Sequence, residues 1–344
     1  MKFLHLADFH LGWRPSFLSD EEGKEIQKER DQVLKFAVDY AVDSENEIDL
    51  VIIAGDLFET HQPSQKVAEK TIQELSRLTA NKIELITVPG NHDELTYKDS
   101  IYRQEINRWP GHLVTNPMPS LAIELNINEQ KVFIYSLAYT GGVTITEPPI
   151  KDFPKVEEEG FHLGIFHGSY FEGSPNWEVS GRSLPLDPKG LTKANYDYLA
   201  LGHFHKFKEF PLGEGLAAYA GLVADKGFYD TGTGHLLVGH WKPGGKVLLE
   251  KIPYDRYPKF KTITLDLSSF NEKEALLSRL KEMKEPTSLV QIVLKGIKHF
   301  LLDLNWLELR LANYFRYLKI VDNSFYLGAE ELERLSQERT ITGL

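Results

Sequence analysis

The chain has no cysteine, no long apolar run and no excess of positive charge. The absence of cysteine excludes disulfides, thiolate metal sites and iron–sulfur clusters. No stretch approaches the roughly 20 apolar residues that a membrane-spanning helix needs, so no membrane association is expected. The formal net charge of −11 argues against a protein that holds nucleic acid mainly by its own electrostatics.

The rest of the composition is that of an ordinary globular protein, with 42% hydrophobic and 26% charged residues. A length of 344 residues predicts two domains. The DRYPK segment at 255–259 has the character of a linker, so we expect one domain over residues 1–254 and a second over residues 255–344. Residues 1–254 carry 25 basic against 37 acidic side chains, and residues 255–344 carry 14 against 13.

Strand-like and helical patterns alternate through the first ninety residues. Strands are predicted at Lys2–Ala7, Asp49–Ala54 and Ile83–Val88, and helices at Glu25–Ser44 and from Ser64 to about Leu78. This order implies parallel strands joined by right-handed crossovers. Ligands of such sheets gather beyond the carboxyl ends of the strands.

Side chains suited to metal binding follow these and later apolar runs, in the motifs ADFH, AGDLFE, PGNHD, IFHG and LGHFH. Seven of them are candidate metal ligands: Asp8, His10, Asp56, Asn91, His167, His203 and His205. Any one pair could be a turn or a pair of structural histidines, so the prediction depends on the whole set. In an extended segment residues i and i+2 share a face, so the DxH and HxH pairs are each expected to reach one small volume.

The chemistry of this set favours two divalent cations. A carboxylate can bridge two cations about 3.5–4 Å apart, the separation that clamps a phosphoryl group during in-line displacement. Imidazole nitrogen combined with carboxylate and amide oxygen suits manganese, iron, zinc or magnesium. The sequence therefore predicts a pocket for two metal ions at the edge of the sheet.

From about residue 121 the pattern changes to short strands, which predicts a second, mixed sheet packed on the first. These strands are expected at 121–125, 131–136, 162–166, 198–201, 216–220, 235–241 and 246–252. The segment 168–190, rich in glycine, proline and serine, is predicted to be a loop over the rim of the pocket. Beyond residue 259 the pattern predicts a small independent α/β unit and, at 329–337, the start of a last helix.

His92 follows the candidate ligand Asn91, so it would project into the cleft without binding metal. A free imidazole there could donate a proton to a leaving alkoxide, because its pKa is near neutral. Glu59 could orient His92 and hold it protonated, or be an ordinary turn carboxylate. His61 is predicted to be a loop residue, with a position near the substrate as the alternative. The remaining histidines are interpreted as core or surface residues: His5, His112, His162, His235, His240 and His299.

The motifs DFH, GDLFE, GNHD, HG and GHFH resemble those of the calcineurin-like metallophosphoesterases, over residues 1 to about 254. Within that superfamily the chain is similar to the SbcD-type DNA repair exonucleases, including the bacterial YhaO group. The segments MKFLHLADFHLG and VIIAGDLFETHQPS carry this similarity most specifically. The resemblance implies an α/β fold: a four-layer metallophosphoesterase sandwich of two mixed β-sheets flanked by helices, with a small C-terminal α/β capping domain.

The resemblance also implies an activity and a division of the ligands. The two sets would be Asp8, His10, Asp56 and His205 for one metal, and Asp56, Asn91, His167 and His203 for the other. His92 would contact the scissile phosphate. Manganese is the expected ion, with magnesium or others left open. The implied enzyme is a metal-dependent phosphodiesterase, a DNA nuclease and exonuclease (exodeoxyribonuclease) of DNA repair.

Two alternatives remain beside the nuclease. One is a metallophosphoesterase acting on nucleotides or phosphoproteins, although GDLFETH lacks the Asp-Arg-Gly of the Ser/Thr phosphatase branch. The other is a non-enzymatic scaffold, which could tolerate the loss of ligands. Candidate substrate contacts mix basic and aromatic side chains, with a solvated helix and core aromatics as the alternative: Tyr97, Lys98, Tyr102, Arg103, Arg108, Trp109, Tyr170, Arg182, Lys206 and Lys208.

SbcD-type nucleases work with an SbcC-like coiled-coil ATPase, so the resemblance implies such a partner beside the DNA substrate. Little of the helical extension that docks this partner is visible after Gln337. A homodimer is left open. Cleavage of a signal peptide would remove the candidate ligand Asp8, so none is expected and the location is predicted to be cytoplasmic.

Overall fold

The computed structural model describes residues 1–139, 150–170 and 183–326. The chain divides into two compact units. The first comprises Met1–Asp225 and Gly232–Tyr257, and the second comprises Lys226–Thr231 and the chain from Pro258 onward. The sequence pattern did not predict that a short internal segment groups with the second unit. The catalytic and capping roles of the two parts stay predictions.

The first unit is built on two six-stranded sheets and two short paired strands. In chain order its strands are β1 (Lys2–Leu6), β2 (Leu50–Ala54), β3 (Glu84–Val88), β4 (His112–Leu113), β5 (Ser120–Ile127), β6 (Gln130–Ser136), β7 (Phe161–His167), β8 (Ser169–Tyr170), β9 (Pro185–Leu186), β10 (Tyr198–Gly202), β11 (Lys208–Leu212), β12 (Gly215–Tyr219), β13 (His235–His240) and β14 (Leu248–Pro253). The first sheet has the order β14–β13–β1–β2–β3–β4 and the second has the order β11–β12–β10–β7–β6–β5.

Both sheets are mixed. In the first, β1 to β4 are parallel, and β13 and β14 add an antiparallel edge. In the second, β6, β7, β10 and β12 are parallel, and β5 and β11 close the two edges antiparallel to their neighbours. The carboxyl ends of β1, β2 and β3 therefore lie side by side, as do those of β7 and β10.

Helices cover the outer faces of the two sheets. They are α1 (Asp20–Arg30), α2 (Gln32–Val42), α3 (Gln65–Ala80), α4 (Ile101–Gln104) and α5 (Pro188–Ala194). The side chains of β10 alternate between two cores: Tyr198 and Ala200 belong to the core between the sheets, and Leu199 and Leu201 to the core that contains Leu191 of α5. The predicted four-layer α/β sandwich is confirmed.

The second unit is a small α/β structure with its own core. Its elements are β15 (Phe260–Asp266), a 3₁₀ turn (Leu267–Ser269), α6 (Lys273–Glu282), β16 (Glu285–Lys295), β17 (Ile297–Lys298), α7 (Leu304–Leu311), β18 (Phe315–Asp322) and β19 (Phe325–Tyr326). β15, β16 and β18 form a parallel three-stranded sheet. The α/β character predicted beyond residue 259 is confirmed, and the helix expected at 329–337 lies outside the described residues.

The predicted membership of β13 and β14 in the second sheet is wrong. β13 pairs with β1, with Leu4 opposite Val238, so the chain returns to the first sheet after completing the second. The strand pattern was correct, but periodicity carries no information about which edge a distant strand joins. The open side of β1, opposite β2, is what accepts β13.

The single helix predicted at Glu25–Ser44 is two helices that meet at Asp31. α1 begins earlier because Ser19 and Glu22 form a capping box, each side chain accepting from the other residue's main-chain N–H. At the junction the Asp31 carboxylate accepts from the main-chain N–H of Gly12, at 3.1 Å. The tertiary contact therefore divides a segment whose apolar spacing alone predicts one helix.

The segment predicted as a rim loop, 168–190, is more ordered at its ends than expected. Ser169–Tyr170 pairs in parallel with Pro185–Leu186, and α5 begins at Pro188 behind the N-cap of Asp187. Residues 171–182 lie outside the described part. Among the described residues, no helix combines the length and apolar character that crossing a membrane requires.

A buried histidine between the two sheets makes the fold sensitive to acid. His5 of β1 is fully buried, and its Nδ1 lies 2.9 Å from the Tyr198 hydroxyl of β10. Burial lowers the pKa of His5 to about 3, although a bond to the Leu201 main chain opposes the shift. The unfolded chain binds this proton below about pH 6.5 and the folded protein only below about pH 3, so acidification between these values favours unfolding.

We expect His5→Leu to reduce the loss of stability on acidification. At about 1.4 kcal/mol per pH unit, titration of His5 removes roughly 3 kcal/mol between pH 6.5 and pH 4. Urea unfolding at pH 7 and pH 4.5 measures, for each protein, the difference in the free energy of unfolding between the two pH values. His240→Gln, at a half-exposed histidine of β13, is the control and keeps the wild-type difference. An unchanged difference in His5→Leu would assign the acid sensitivity to other groups.

Candidate metal centre

The first candidate ligands lie on a loop immediately after β1. Asp8 and His10 both adopt the left-handed backbone region, with φ of 54° and 49°. Their main-chain N–H groups donate to Gly55 O at 3.1 Å and Asp56 O at 3.0 Å, which joins this loop to the one after β2. Non-glycine residues adopt this conformation only where surrounding contacts hold them, and such residues cluster at functional sites.

The loop after β2 presents Asp56, which also has a left-handed backbone, with φ of 51°. Two glycines make this approach possible. A Cβ on Gly55 would lie 2.1 Å from His167 Nδ1, and a Cβ on Gly90 would lie 2.2 Å from Asp56 Oδ1. The GD and PG steps of the motifs thus reflect close packing between the loops and not only the chemistry of the ligand.

One group of candidate ligands surrounds Asn91 at the ends of β2, β3, β7 and β10. Asn91 Oδ1 lies 2.9 Å from His167 Nε2 and 3.0 Å from His203 Nδ1. His167 Nε2 also lies 3.3 Å from Asp56 Oδ2. His167 Nδ1 donates to Ala54 O at 3.0 Å, because a carbonyl can only accept. In the neutral form of the ring, which is the form that binds a metal, the lone pair of Nε2 therefore faces the other members of the group.

The other group lies around His10. His10 Nε2 is 3.1 Å from His205 Nε2 and 3.8 Å from Asp56 Oδ2. The Asp8 carboxylate accepts from the His203 main-chain N–H at 3.0 Å, and a ligand atom of Asp8 lies within 4.8 Å of those of His10 and His205. Asp8 is also within 4.8 Å of Asp56 and His167, so the two groups form one continuous cluster.

The cluster concentrates charge in a buried space. Burial raises the pKa of Asp8 to about 6, although His167 and His205 oppose the shift. Burial also acts to raise the pKa of Asp56. His167 and His10 outweigh this effect and hold the pKa of Asp56 well below its usual value. Burial lowers the pKa of His203 to about 3. For His167 burial acts downward, yet the Asp56 carboxylate dominates and raises the pKa to about 9.

The residues present fit two divalent cations. All seven predicted ligands converge, and their donor atoms face one another at the distances given above. Buried carboxylates are stable when they are paired or coordinate a metal, and imidazole with carboxylate and amide donors suits manganese, magnesium, iron or zinc. Asp56 stands between the two groups, which is the position that a shared ligand would occupy.

His92 lies beside this cluster and is held at two points. Its main-chain N–H donates to Asp56 Oδ1 at 2.8 Å, and its Nδ1 donates to the Glu59 main-chain carbonyl at 3.0 Å. Its ring meets the His10 ring edge to face, with centroids 4.6 Å apart. The side chain is 36% exposed. Since Nδ1 is engaged, Nε2 is the ring nitrogen that a substrate could reach.

The Glu59 carboxylate is directed toward His10 more than toward His92. Its Oε2 lies 2.9 Å from His10 Nδ1 and 3.9 Å from His92 Nδ1. The three residues form a further group whose ligand atoms lie within 4.8 Å of one another. The sequence predicts that Glu59 orients His92, and the contact from Glu59 to the His92 ring is a bond to its main-chain carbonyl. A carboxylate on the outer nitrogen of a ligating imidazole fixes the ring and raises its basicity.

We therefore expect Glu59→Ala to weaken metal binding more than the proton-transfer step. Loss of such an outer partner typically costs 10- to 100-fold in metal affinity or activity. Titration calorimetry with Mn²⁺ should show the weaker affinity, and saturating Mn²⁺ should restore most of the hydrolytic rate. Glu59→Gln keeps an oxygen acceptor and should recover part of the affinity. A normal metal affinity with a slow rate at saturating metal would indicate that Glu59 acts on the proton donor His92 and not on metal binding.

Two residues that the motif analysis left out support the loops. The Asp93 carboxylate, fully buried, accepts from the N–H groups of Gly90 at 2.7 Å and Phe58 at 3.1 Å and from the Tyr102 hydroxyl at 2.8 Å. It is the last letter of GNHD, so the sequence contained its signal. Arg30 donates to the His10 carbonyl at 3.1 Å from a fully buried side chain. Its position in α1 looks like ordinary helix surface, so no pattern could have identified it.

The candidate substrate contacts separate into buried and exposed residues. Tyr102 and Trp109 are buried, their ring centroids lie 4.8 Å apart, and both contact Phe58. They are core residues and cannot reach a substrate. For these two side chains the alternative prediction, core aromatics, is the correct one. Tyr170 is half-buried, and Arg182 lies outside the described residues. The exposed candidates are Tyr97, Lys98, Arg103, Arg108, Lys206 and Lys208.

Three relatives match long stretches of the chain. A protein of Bacillus subtilis (strain 168) named "Uncharacterized metallophosphoesterase YhaO" is 26% identical over 313 residues, covering 86% of this chain and 72% of that protein. A protein of Sulfolobus acidocaldarius named "DNA double-strand break repair protein Mre11" is 28% identical over 229 residues, covering 64% and 54%. The protein of the same name from Sulfurisphaera tokodaii is 25% identical over 310 residues, covering 86% and 73%. The chain thus spans about half the length of the Sulfolobus protein.

The family comparison covers most of the first unit. Residues 1–207 match the calcineurin-like phosphoesterases, and this range includes all seven candidate ligands with Glu59 and His92. Members of this family are hydrolases that act on phosphoesters and normally bind divalent metals. Because the match covers more than half of the sequence and the first unit has the expected four-layer fold, this chain belongs to the calcineurin-like phosphoesterase family.

Proposed function

We propose that the chain is a dinuclear-metal-dependent DNA nuclease that hydrolyses phosphodiester bonds as an exonuclease in DNA repair. The observation that carries the proposal is the position of Asp56. Its Oδ2 lies 3.3 Å from His167 Nε2 and 3.8 Å from His10 Nε2, between the two groups of candidate ligands. One carboxylate shared by two cations is the arrangement that supports in-line displacement at phosphorus.

In this proposal each group holds one cation, manganese in the first instance. The ligands are Asp8, His10, Asp56 and His205 for one, and Asp56, Asn91, His167 and His203 for the other. When bound, the cations would lower the pKa of a water and stabilise charge on the phosphoryl oxygens. The protein contributes donors that the left-handed loops hold in place and a buried site, where electrostatic interactions are stronger than in water.

His92 supplies the proton for the leaving group. Hydrolysis joins phosphorus to the oxygen of a water that has released one proton to solvent. It breaks the bond to the leaving 3′-oxygen, which takes a proton from His92 Nε2. The bond from His92 Nδ1 to the Glu59 carbonyl holds the ring, and partial exposure lets the ring regain a proton from solvent. The geometry suits a general acid, because the main chain of His92 is bonded to Asp56, the residue that lies between the two ligand groups.

The preference for DNA is supported by the Mre11 relatives, whose printed names refer to DNA double-strand break repair. The alternative substrates, nucleotides or phosphoproteins, would use the same metals and the same acid. A net charge of −11 fits a subunit that takes part of its DNA affinity from a partner. We propose an SbcC-like coiled-coil ATPase for that partner. A homodimer and a cytoplasmic location are further parts of this proposal.

The test compares three substrates with the purified chain. Linear end-labelled DNA, a chromogenic phosphate diester and a chromogenic phosphate monoester are each incubated with Mn²⁺, with Mg²⁺ and with a chelator. We expect metal-dependent loss of the end label and faster hydrolysis of the diester than of the monoester. Stepwise shortening from an end would identify an exonuclease. Hydrolysis of the monoester alone, with intact DNA in the presence and absence of the candidate ATPase, would favour the alternative substrates.

A further inference from the structure

Two aromatic rings stack on each other next to the loops that carry Glu59 and His92. The rings of His61 and Tyr97 have centroids 4.1 Å apart and an interplanar angle of 21°. Although His61 covers one face of Tyr97, this tyrosine is still 41% exposed. The large aromatic side chains nearby, Tyr102 and Trp109, are by contrast buried in the core. Tyr97 therefore remains partly accessible to solvent beside the ring of His61.

The main chain holds both rings in position. The His61 carbonyl accepts from the Ile101 N–H at 2.8 Å, and the Tyr97 carbonyl accepts from the Ser100 N–H at 3.1 Å. Ser100 is fully buried and is the N-cap residue of α4. Each ring therefore comes from a segment that is anchored to the same short helix. A stack held in this way loses little conformational entropy when a third ring is added.

The stack is linked to the proposed reaction centre through two short connections. His61 is two residues after Glu59, so their Cα atoms are at most about 7 Å apart. Tyr97 is five residues after His92, which limits that separation to about 18 Å. Glu59 and His92 are themselves joined by the bond from His92 Nδ1 to the Glu59 carbonyl. The stack and His92 therefore lie on adjoining loops, and a strand bound at His92 can extend toward the stack.

The charges around the stack do not explain it as a phosphate contact. Lys98 and Asp99 are both exposed and of opposite sign. Asp99 Oδ1 lies 3.8 Å from His61 Nε2, which places a carboxylate beside the ring. A surface that is neutral overall attracts a polyanion weakly. Aromatic side chains that are open on one face, however, bind unpaired bases whatever their sequence, because every base has a π-face.

We propose that His61 and Tyr97 form a stacking subsite for a nucleobase of an unpaired DNA strand. A base stacks on the open face of Tyr97, extends the His61–Tyr97 pair to three rings, and positions the adjoining phosphodiester at the metal centre. This inference rests on the proposed nuclease function. It assigns these two side chains to substrate positioning and leaves the chemical step to His92 and the metal ligands.

The test measures binding and turnover separately with a fluorescent single-stranded oligonucleotide. Base stacking on an aromatic side chain contributes about 5- to 150-fold in affinity. Tyr97→Ala should therefore raise Kd in the presence of a chelator, and KM in the presence of Mn²⁺, by a factor in this range. The value of kcat at saturating DNA should change little. Tyr97→Phe keeps the π-face and should behave as the wild type. Tyr229→Ala, at an 85% exposed tyrosine of the second unit, is the control and should leave Kd unchanged.

An oligonucleotide with abasic residues gives the decisive comparison. Without bases the wild type should bind about as weakly as Tyr97→Ala binds normal DNA, and the substitution should have no further effect. The loss should also persist at high salt, because stacking releases no counterions. If Tyr97→Ala weakens the binding of abasic and normal DNA equally, or weakens the binding of neither, the proposed subsite does not exist. A wild type that cleaves chromogenic esters but no DNA would instead overturn the nuclease proposal itself.

Discussion

Replacing Asp56 with alanine is expected to remove both metals and reduce hydrolysis of every phosphoester to background. Asp56 is 2% exposed, its Oδ2 faces His10 and His167, and its Oδ1 accepts from the His92 main chain. No other candidate ligand contacts both groups and the proposed acid. Charge stabilisation by the metals is worth several kcal/mol, and each 1.4 kcal/mol is a factor of ten in rate. We therefore expect a loss of at least about 10³-fold.

The measurement is the number of Mn²⁺ ions bound per chain, determined by titration calorimetry and elemental analysis, together with rates on DNA and on a chromogenic diester. Asp56→Asn is the matched control for charge, because its amide oxygen can still accept from the His92 N–H. We expect Asp56→Asn to fold normally and bind metal far more weakly than the wild type. A full complement of two ions in Asp56→Ala would contradict a shared carboxylate, whatever the activity.

The second large effect is expected for His92→Ala, and it should depend on the leaving group. A positioned general acid contributes 10²- to 10⁴-fold when the leaving oxygen is a poor leaving group, such as the 3′-alkoxide of DNA. A nitrophenolate leaves without a proton, so hydrolysis of a nitrophenyl diester should fall much less. The ratio of the two losses separates proton donation from a general disturbance of the site, which would affect both substrates alike.

Metal binding decides between two roles for the same ring. His92 belongs with His10 and Glu59 to a group that could itself hold a cation. If His92 is the acid, His92→Ala should keep two Mn²⁺ ions with nearly unchanged affinity, and His92→Gln should be as slow on DNA as His92→Ala. Loss of one ion on substitution would make His92 a ligand. Equal losses on DNA and on the nitrophenyl diester would also exclude the proposed proton transfer.

The seven candidate ligands lie close together in the structure, but not for the reason that the spacing of the motifs suggests. The spacing suggests that Asp8 with His10, and His203 with His205, reach one volume because alternate residues of an extended strand share a face. β1 ends at Leu6 and β10 ends at Gly202, so all four residues lie in loops beyond the strands. Asp8, His10 and His203 have positive φ, with 107° at His203. The loops converge because main-chain bonds join them, and no local pattern contains that information.

Other differences have the same origin. Strand positions follow from apolar periodicity, so nearly every predicted strand exists within a few residues. The return of β13 to β1 depends on which sheet edge is open after the rest of the chain has folded. The division of α1 from α2 depends on a bond from Gly12 to Asp31, between residues 19 positions apart. The buried guanidinium of Arg30 donates hydrogen bonds to the main-chain carbonyls of His10 and Asp225, which come from distant parts of the chain.

The amino-acid sequence by itself determined which atoms are available: seven candidate metal-binding side chains, no thiolate, and apolar runs that place each candidate ligand near the end of a strand. These are local properties, set by composition and spacing. Only the tertiary structure decided which donor atoms face each other, that the Glu59 carboxylate lies nearer to His10 than to His92, that Tyr102 and Trp109 are core residues, and that His61 stacks on Tyr97. The physical reason is that these relations depend on hydrogen bonds and packing between segments far apart in the chain.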